Sequence, residues 1–173
     1  MITSVEYYQN LIDLDIKYAS GVPCSVVSGL INLLGNSDKI NYIPAPREDI
    51  AISIASGLSL TGEIPLVIMQ NSGLGTSLDA IITQPLLYGL PMVMLITWRG
   101  YYKNNLVEKG DEIQHWIWGD TTKKLLENID IKTWIMDDKN QLNCTEFAIN
   151  YAKKYSTAVA ILVKRHKSID EKR

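Results

Sequence analysis

Two rhythms of apolar residues take turns along the chain: spacings of three and four residues, which suit a helix with one buried face, and short unbroken runs, which suit a strand covered on both sides. Ser4 stands at the head of the first helical stretch, whose apolar face carries Tyr8, Leu11 and Ile12 with Tyr7 at its margin. Residues 16–19 form a short extended stretch, and Gly21-Val22-Pro23 turns the chain into a helix that Ser25 caps and Gly35-Asn36 ends. Residues 39–43 make the next strand, and the helix after it opens at Pro46, which places Glu48 third in it. Ala51, Ala55 and Gly57 make that helix narrow enough for close packing. Residues 66–69 and 92–96 are the most apolar runs, with a helix between them beginning at Thr76 or Ser77. A helix over 114–126, a strand over 132–136, a helix over 142–154 and a strand over 158–163 complete the alternation.

Strands separated by helices predict an α/β protein, a single three-layer domain over 1–164 with a central, largely parallel sheet of about six strands. Residues 165–173 read as a polar, poorly ordered tail. At 173 residues, 46% of them hydrophobic and 21% charged, the chain can bury one substantial core. A formal net charge of -2 supplies no basic field for nucleic acid, so no nucleic-acid partner is expected. Cys24 and Cys144 are too few for a disulfide scaffold or a cysteine-rich zinc site, which fits a reducing compartment. The first residues lack a basic, apolar leader, and no apolar run reaches the roughly 18 residues of a membrane span. The expected location is therefore the cytoplasm, without a membrane partner.

Candidate chemistry gathers where strands hand over to helices. Arg47, Glu48 and Asp49 follow one strand, and Gln70, Asn71, Ser72, Gly73 and Gly75 follow another, reading as a polar, flexible loop whose amides can approach a ligand. In an open parallel sheet the crevice beyond the carboxyl ends of strands is the usual ligand site, so both segments face one site. A dinucleotide loop is disfavoured, since Leu78 stands where its third glycine belongs and no acid ends the run 92–97. No Gly-Lys-Ser or Gly-Lys-Thr is present, which excludes the phosphate loop of nucleotide hydrolases. Glu48 has an ordinary reading as an acid complementing a helix dipole. Ala45 at the expected cap cannot complete a capping box, however, and the acid adjoins the polar loop, so a ligand explains the position better. His115 is equally a hydrogen-bonded structural residue or an acid/base group, and His166 lies in the polar tail. Two histidines give no multi-histidine metal site, and no metal ligand is expected in this chain. Trp98-Arg99-Gly100 opens about a dozen polar residues whose length suits a binding loop or lid. Arg99 and Lys103 are cations that either face water or meet an anionic substrate.

Met69-Gln-Asn-Ser-Gly-Leu-Gly75, Thr97-Trp-Arg-Gly100 and Asp111-Glu-Ile-Gln-His115 occur in the order seen in thiamine-diphosphate-dependent decarboxylases of phosphonopyruvate and sulfopyruvate, which the chain resembles over residues 21–136. Gly21-Val-Pro-Cys-Ser25 and Arg47-Glu-Asp49 fit the same pattern. The resemblance implies a pyrimidine-binding domain in which Glu48 matches the glutamate at N1′ of the cofactor's aminopyrimidine, where its proton exchange activates the thiazolium C2. Asn71, Ser72, Gly73 and Gly75 would line the pyrimidine. Gln114 and His115 match catalytic positions near the reacting carbon, and Pro23, Ser25, Arg99 and Lys103 would meet the small anionic 2-oxo acid.

The Gly-Asp-Gly segment and later Asn through which such enzymes hold Mg²⁺ and the diphosphate have no match, since the only nearby string is Gly119-Asp120-Thr121. The resemblance therefore implies an α subunit whose β-subunit partner binds Mg²⁺ and the diphosphate, in a hetero-oligomer with two or more active sites. Asp111 to His115 leans toward phosphonopyruvate, giving phosphonoacetaldehyde. The family often has Asn at the positions of Thr76 and Asp79 and a polar residue at that of Ile50. Two alternatives stay open: a decarboxylase or carboligase for another 2-oxo acid, and a noncatalytic binding module of the same fold.

Overall fold

The computed structural model describes residues 2–101, 114–137, 140–164 and 169, the side chain of Gln114 excepted. The polar loop after Gly100, with Lys103 and most of the string from Asp111 to His115, and His166 in the tail lie outside the described residues.

Six strands form one sheet in the order β2-β1-β3-β4-β6-β5: β1 (Tyr18–Gly21), β2 (Asn41–Pro44), β3 (Leu66–Gln70), β4 (Met92–Trp98), β5 (Thr133–Met136) and β6 (Ala158–Lys164). Every pairing is parallel. The helices are α1 (Ser4–Asp13), α2 (Ser28–Gly35), α3 (Glu48–Leu60), α4 (Asn71–Ile81), α5 (Gln114–Asn128) and α6 (Gln141–Tyr155). The sheet is covered on both faces, which is why its central strands carry apolar residues at successive positions. Alternate residues of β3, β4 and β6, such as Ile68, Leu95 and Ile161, join Tyr7, Leu11, Leu30, Leu34 and Ala148 of α1, α2 and α6 in one core. The intervening residues, such as Val67, Met94 and Leu162, join Ile52, Leu74, Ile81 and Leu126 of α3, α4 and α5 in the other.

Several boundaries differ from the sequence expectation for local reasons. Thr3, not Ser4, caps α1, because Thr3 and Glu6 satisfy each other's backbone amides in a capping box that Tyr7 could not reciprocate for Ser4. Tyr7 is fully buried, with its hydroxyl 2.8 Å from Thr145 Oγ1, while Tyr8 is partly buried and packs against the same core. Ser25 opens a single tight turn, Ser25–Val27, ahead of α2 and supplies no side-chain cap. Gly57 meets nothing within 4 Å, unlike the buried Ala51 and Ala55. The tail is tied down at one point, since Ile169 is buried and bridges Ile2.

Cys144 on α6 is also buried, and burial, with Asp137 adding a smaller effect, pushes its thiol up to about 12 from an ordinary 9.0. The unfolded thiol ionises first, so this contribution to stability is complete below pH 9 and is lost as pH rises toward 12. Alkylation with iodoacetamide at pH 8 is accordingly expected to leave Cys144 unmodified in the native chain and to label it on unfolding, which mass mapping reads directly. Rapid native labelling would contradict its burial.

Candidate functional site

The connection from β1 runs to β2 and the later connection from β3 runs the other way to β4, so the winding reverses between β1 and β3. Beyond their carboxyl ends lies the crevice where doubly covered parallel sheets take ligands. Gly21 anchors this corner: its carbonyl accepts from Ala45 N at 2.9 Å, and Ile68 O accepts from Val22 N at 3.1 Å.

Glu48 enters the crevice from the end of β2. It is the first residue of α3, with extended Arg47 (φ -151°, ψ 157°) as cap, and not the third residue of a helix opening at Pro46. Ala45 is still bonded to the sheet, and each residue before a proline is held extended, which delays the helix by two positions. Arg47 forks onto Asp49, Nε to Oδ1 at 3.1 Å and Nη2 to Oδ2 at 3.0 Å. Those two charges satisfy each other. Glu48, half-buried between them, has no hydrogen-bond or ion-pair partner among the described residues.

The polar stretch after β3 is helical and not a flexible loop. α4 begins at Asn71 directly from extended Gln70. The expectation of a start at Thr76 or Ser77 underrated a pinned first turn: Asn71 is fully buried and its Nδ2 donates to Arg99 O at 2.9 Å and to Thr122 Oγ1 at 3.0 Å. Ser77 already sits inside the helix, donating to Gly73 O at 2.9 Å. Within this turn Gly73 lies against Glu48, and a Cβ on Gly73 would overlap the glutamate's Cγ, Cδ and Oε1. Gly73 is what lets the carboxyl group lie on α4. Gly75 has a different neighbour, since its Cβ would stand 2.5 Å from Cη2 of Trp118 on α5.

Gly73→Ala is therefore expected to displace Glu48 while leaving a helix that alanine favours. We expect activity to fall by roughly a hundredfold or more with the melting temperature within a few degrees of wild type; unchanged kinetics would remove Gly73 from the site.

The remaining candidates are dispersed around the same edge. Pro23 and Ser25 are exposed after β1, Ser72 is half-exposed in the first turn of α4, and Arg99 is half-buried after β4 with its amide 3.4 Å from Asn71 Oδ1. His115 is buried in the first turn of α5, its backbone against Gly100. The sequence reading placed Gln70 in the polar segment without giving its side chain a part, and gave none to Cys24, Thr97, Trp118 or Thr122. A signal existed for two of them, since Gln70 and Thr97 are polar residues ending otherwise apolar strands. A groove of about 620 Å³ between α1 and α2, lined by Tyr8, Asn32 and Leu33 among others, contains none of these residues.

A carboxyl group held without a partner against a glycine, at the start of a helix and the mouth of a crevice, can exchange a proton with a ring nitrogen placed beside it. The residues present thus fit the aminopyrimidine end of thiamine diphosphate. The described residues include no group of three or more His, Cys, Asp or Glu able to hold a metal. No helix among them is long and apolar enough to cross a membrane.

Comparison with known proteins points to the same cofactor. The family model for the thiamine pyrophosphate enzyme N-terminal TPP binding domain matches residues 7–134. Sulfopyruvate decarboxylase subunit alpha of Methanocaldococcus jannaschii is 31% identical over 160 residues, 92% of this chain and 91% of the relative. The same subunit of Methanococcus maripaludis is 33% identical over 131 residues, 76% of this chain and 75% of the relative. Phosphonopyruvate decarboxylase of Streptomyces viridochromogenes is 32% identical over 148 residues, which are 86% of this chain and 36% of that protein. The thiamine diphosphate-dependent 4-hydroxybenzoylformate decarboxylase of Rhodococcus jostii RHA1 shares the fold with a TM-score of 0.73 at 19% identity, over 98% of this chain and 32% of that one. The chain belongs to the family of thiamine pyrophosphate enzyme N-terminal, TPP-binding domains. It spans most of the archaeal alpha subunits and about a third of the Streptomyces and Rhodococcus chains.

Proposed function

We propose that this chain is the pyrimidine-binding α subunit of a heteromeric thiamine-diphosphate-dependent decarboxylase acting on a 3-sulfo or 3-phosphono 2-oxo acid, and that its partner is a β subunit carrying the diphosphate and Mg²⁺ ligands. The observation that carries this reading is the unpaired Glu48 carboxyl group lying on Gly73 at the first turn of α4. The chemistry the cofactor supplies when bound is nucleophilic addition to the 2-oxo carbon and a sink for the electron pair left by carbon dioxide. Glu48 holds and exchanges a proton at the ring nitrogen N1′. Ser72, Gly73 and the backbone of Asn71 line the ring, while the Asn71 side chain keeps Arg99 and α5 in place. Gly75 admits Trp118, so its part at the ring is indirect. His115, in the first turn of α5, is placed to move a proton near the reacting carbon beside Gln114, and Pro23, Ser25, Arg99 and Lys103 receive the anionic substrate.

Relatives matching three quarters or more of this chain and of their own length are named for sulfopyruvate, which favours the sulfonate. The similar identity to a phosphonopyruvate decarboxylase, with the Asp111 to His115 string, supports the phosphonate as the second reading. Initial rates of the reconstituted pair on sulfopyruvate, phosphonopyruvate and pyruvate test both. One of the doubly charged acids is expected to be preferred over pyruvate, and Arg99→Ala should raise its KM by about tenfold while changing that for pyruvate far less. An equal effect on all acids would remove Arg99 from recognition, and a complex that binds cofactor but releases no carbon dioxide would replace this reading with the noncatalytic one.

A further inference from the structure

Two polar side chains occupy a part of the carboxyl edge where the alternation calls for apolar ones. Gln70 and Thr97 are register partners at the ends of β3 and β4, in line with Ile68 and Leu95 on the face covered by α1, α2 and α6. Cys24, from the segment following β1, reaches over both strand ends. Its Sγ lies 3.2 Å from Thr97 Oγ1 and 4.0 Å from Gln70 Oε1. Gln70 Nε2 in turn donates to Ser72 Oγ at 2.8 Å. Thr97 is fully buried and Cys24 nearly so, whereas Ser72 is half-exposed. The polar contacts therefore begin in the core and end at the first turn of α4, one residue from Gly73 and the Glu48 carboxyl group that rests on it.

Hydrogen accounting gives this sequence of contacts a direction. A serine hydroxyl has one hydrogen and two lone pairs. In this arrangement the Ser72 oxygen accepts from Gln70, and its own hydrogen meets no acceptor among the described residues. Turning the Gln70 amide around would place its carbonyl against Ser72 and capture that hydrogen. Cys24 opposes the turn: a thiol donates toward the carbonyl oxygen it now faces, but its sulfur is a poor acceptor for an NH₂ group.

We propose that Gln70, oriented by Cys24 and Thr97, is a positioning residue that keeps the Ser72 hydroxyl hydrogen free to donate to an acceptor atom bound beside Glu48. The identity of that site as a thiamine-diphosphate site rests on the function proposed above. A ring nitrogen of the cofactor and a carboxylate oxygen of the 2-oxo acid offer the same lone-pair chemistry, and measurement separates them.

The first arm of the test needs no cofactor. In the free ¹⁵N-labelled chain, Ser72→Ala and Cys24→Val are each expected to shift the Gln70 side-chain amide resonances, whereas Cys24→Ser, which keeps a donor, shifts them little. An unmoved Gln70 amide in Ser72→Ala overturns the proposal whatever the enzyme does. In the second arm, the complex with the β subunit is assayed for cofactor Kd, KM and kcat. A carboxylate accepts only, so Gln70→Glu takes the Ser72 hydrogen and should weaken binding by about tenfold, as should Ser72→Ala. The double variant should be no worse than Ser72→Ala alone. A raised cofactor Kd places the acceptor on the pyrimidine, and a raised KM at unchanged Kd places it on the 2-oxo acid. Should Gln70→Glu fail to fold, Gln70→Met removes the same orienting contact, and its loss must likewise vanish in the Ser72→Ala background. Additive losses, or wild-type binding by the Gln70 variants, overturn the proposal. Failure of the functional reading looks different, as a wild-type complex that neither binds cofactor nor decarboxylates any acid, and the first arm still decides whether Gln70 orients Ser72.

Discussion

Glu48→Gln in the reconstituted complex is expected to slow decarboxylation by roughly 10²–10⁴-fold, the range that a positioned proton-transfer group contributes. The substitution keeps the side chain's shape and so keeps its rest on Gly73, but the amide cannot exchange a proton with a ring nitrogen. Folding should survive it. The carboxyl group has no hydrogen-bond or ion-pair partner among the described residues, and its interaction with the α3 dipole is worth about 0.3–1 kcal/mol at most. Exchange of the cofactor's C2 proton, followed by NMR after transfer to heavy water, should slow in parallel with turnover, while the melting temperature stays within a few degrees. Turnover near that of wild type would show that the carboxyl group caps a helix and nothing more. A fall in turnover with unchanged C2 exchange would move its role to a later step.

The architecture was legible because both rhythms of the sequence are strong. The runs in β3, β4 and β6 are buried on both faces, and the helices between them are long enough to set a parallel sheet. What the sequence did not reveal was how the polar segment after β3 is held. Serine and two glycines looked like a flexible loop, and only the distant partners of Asn71, at Arg99 and Thr122, explain why that segment is the first turn of a helix. Gly73 and Gly75 were expected to serve a ligand alike. Their actual neighbours, Glu48 and Trp118, come from α3 and α5, contacts across the fold that no local pattern encodes. The delayed start of α3 could have been read locally, from Ala45 and Pro46, by giving more weight to the restriction a proline places on the residue before it.

The isolated chain, by the same reasoning, should bind thiamine diphosphate no more tightly than a Kd of about 1 mM. It can meet the pyrimidine through Glu48 and the first turn of α4, a small contact with no counter-charge for two phosphates. The Mg²⁺ that neutralises them needs oxygen ligands, commonly carboxylates, and no group of three or more His, Cys, Asp or Glu able to hold a metal occurs among the described residues. Most of the affinity must then come from a second protein surface opposed to this edge. Exposed apolar residues in the first turns of α3 and α5 are in keeping with such a surface: Ile50 two residues beyond Glu48, and Trp116 and Ile117. Symmetry usual in oligomers would pair two or more such half-sites. Isothermal titration of the purified chain with cofactor and Mg²⁺ should accordingly give little heat, and addition of the diphosphate-domain partner should restore binding at micromolar cofactor together with carbon dioxide release. Chelation of Mg²⁺ should abolish both in the complex and change nothing in the chain alone. Tight, Mg²⁺-dependent binding by this chain without a partner would show that the site is whole, and that the diphosphate ligands lie among residues outside those described.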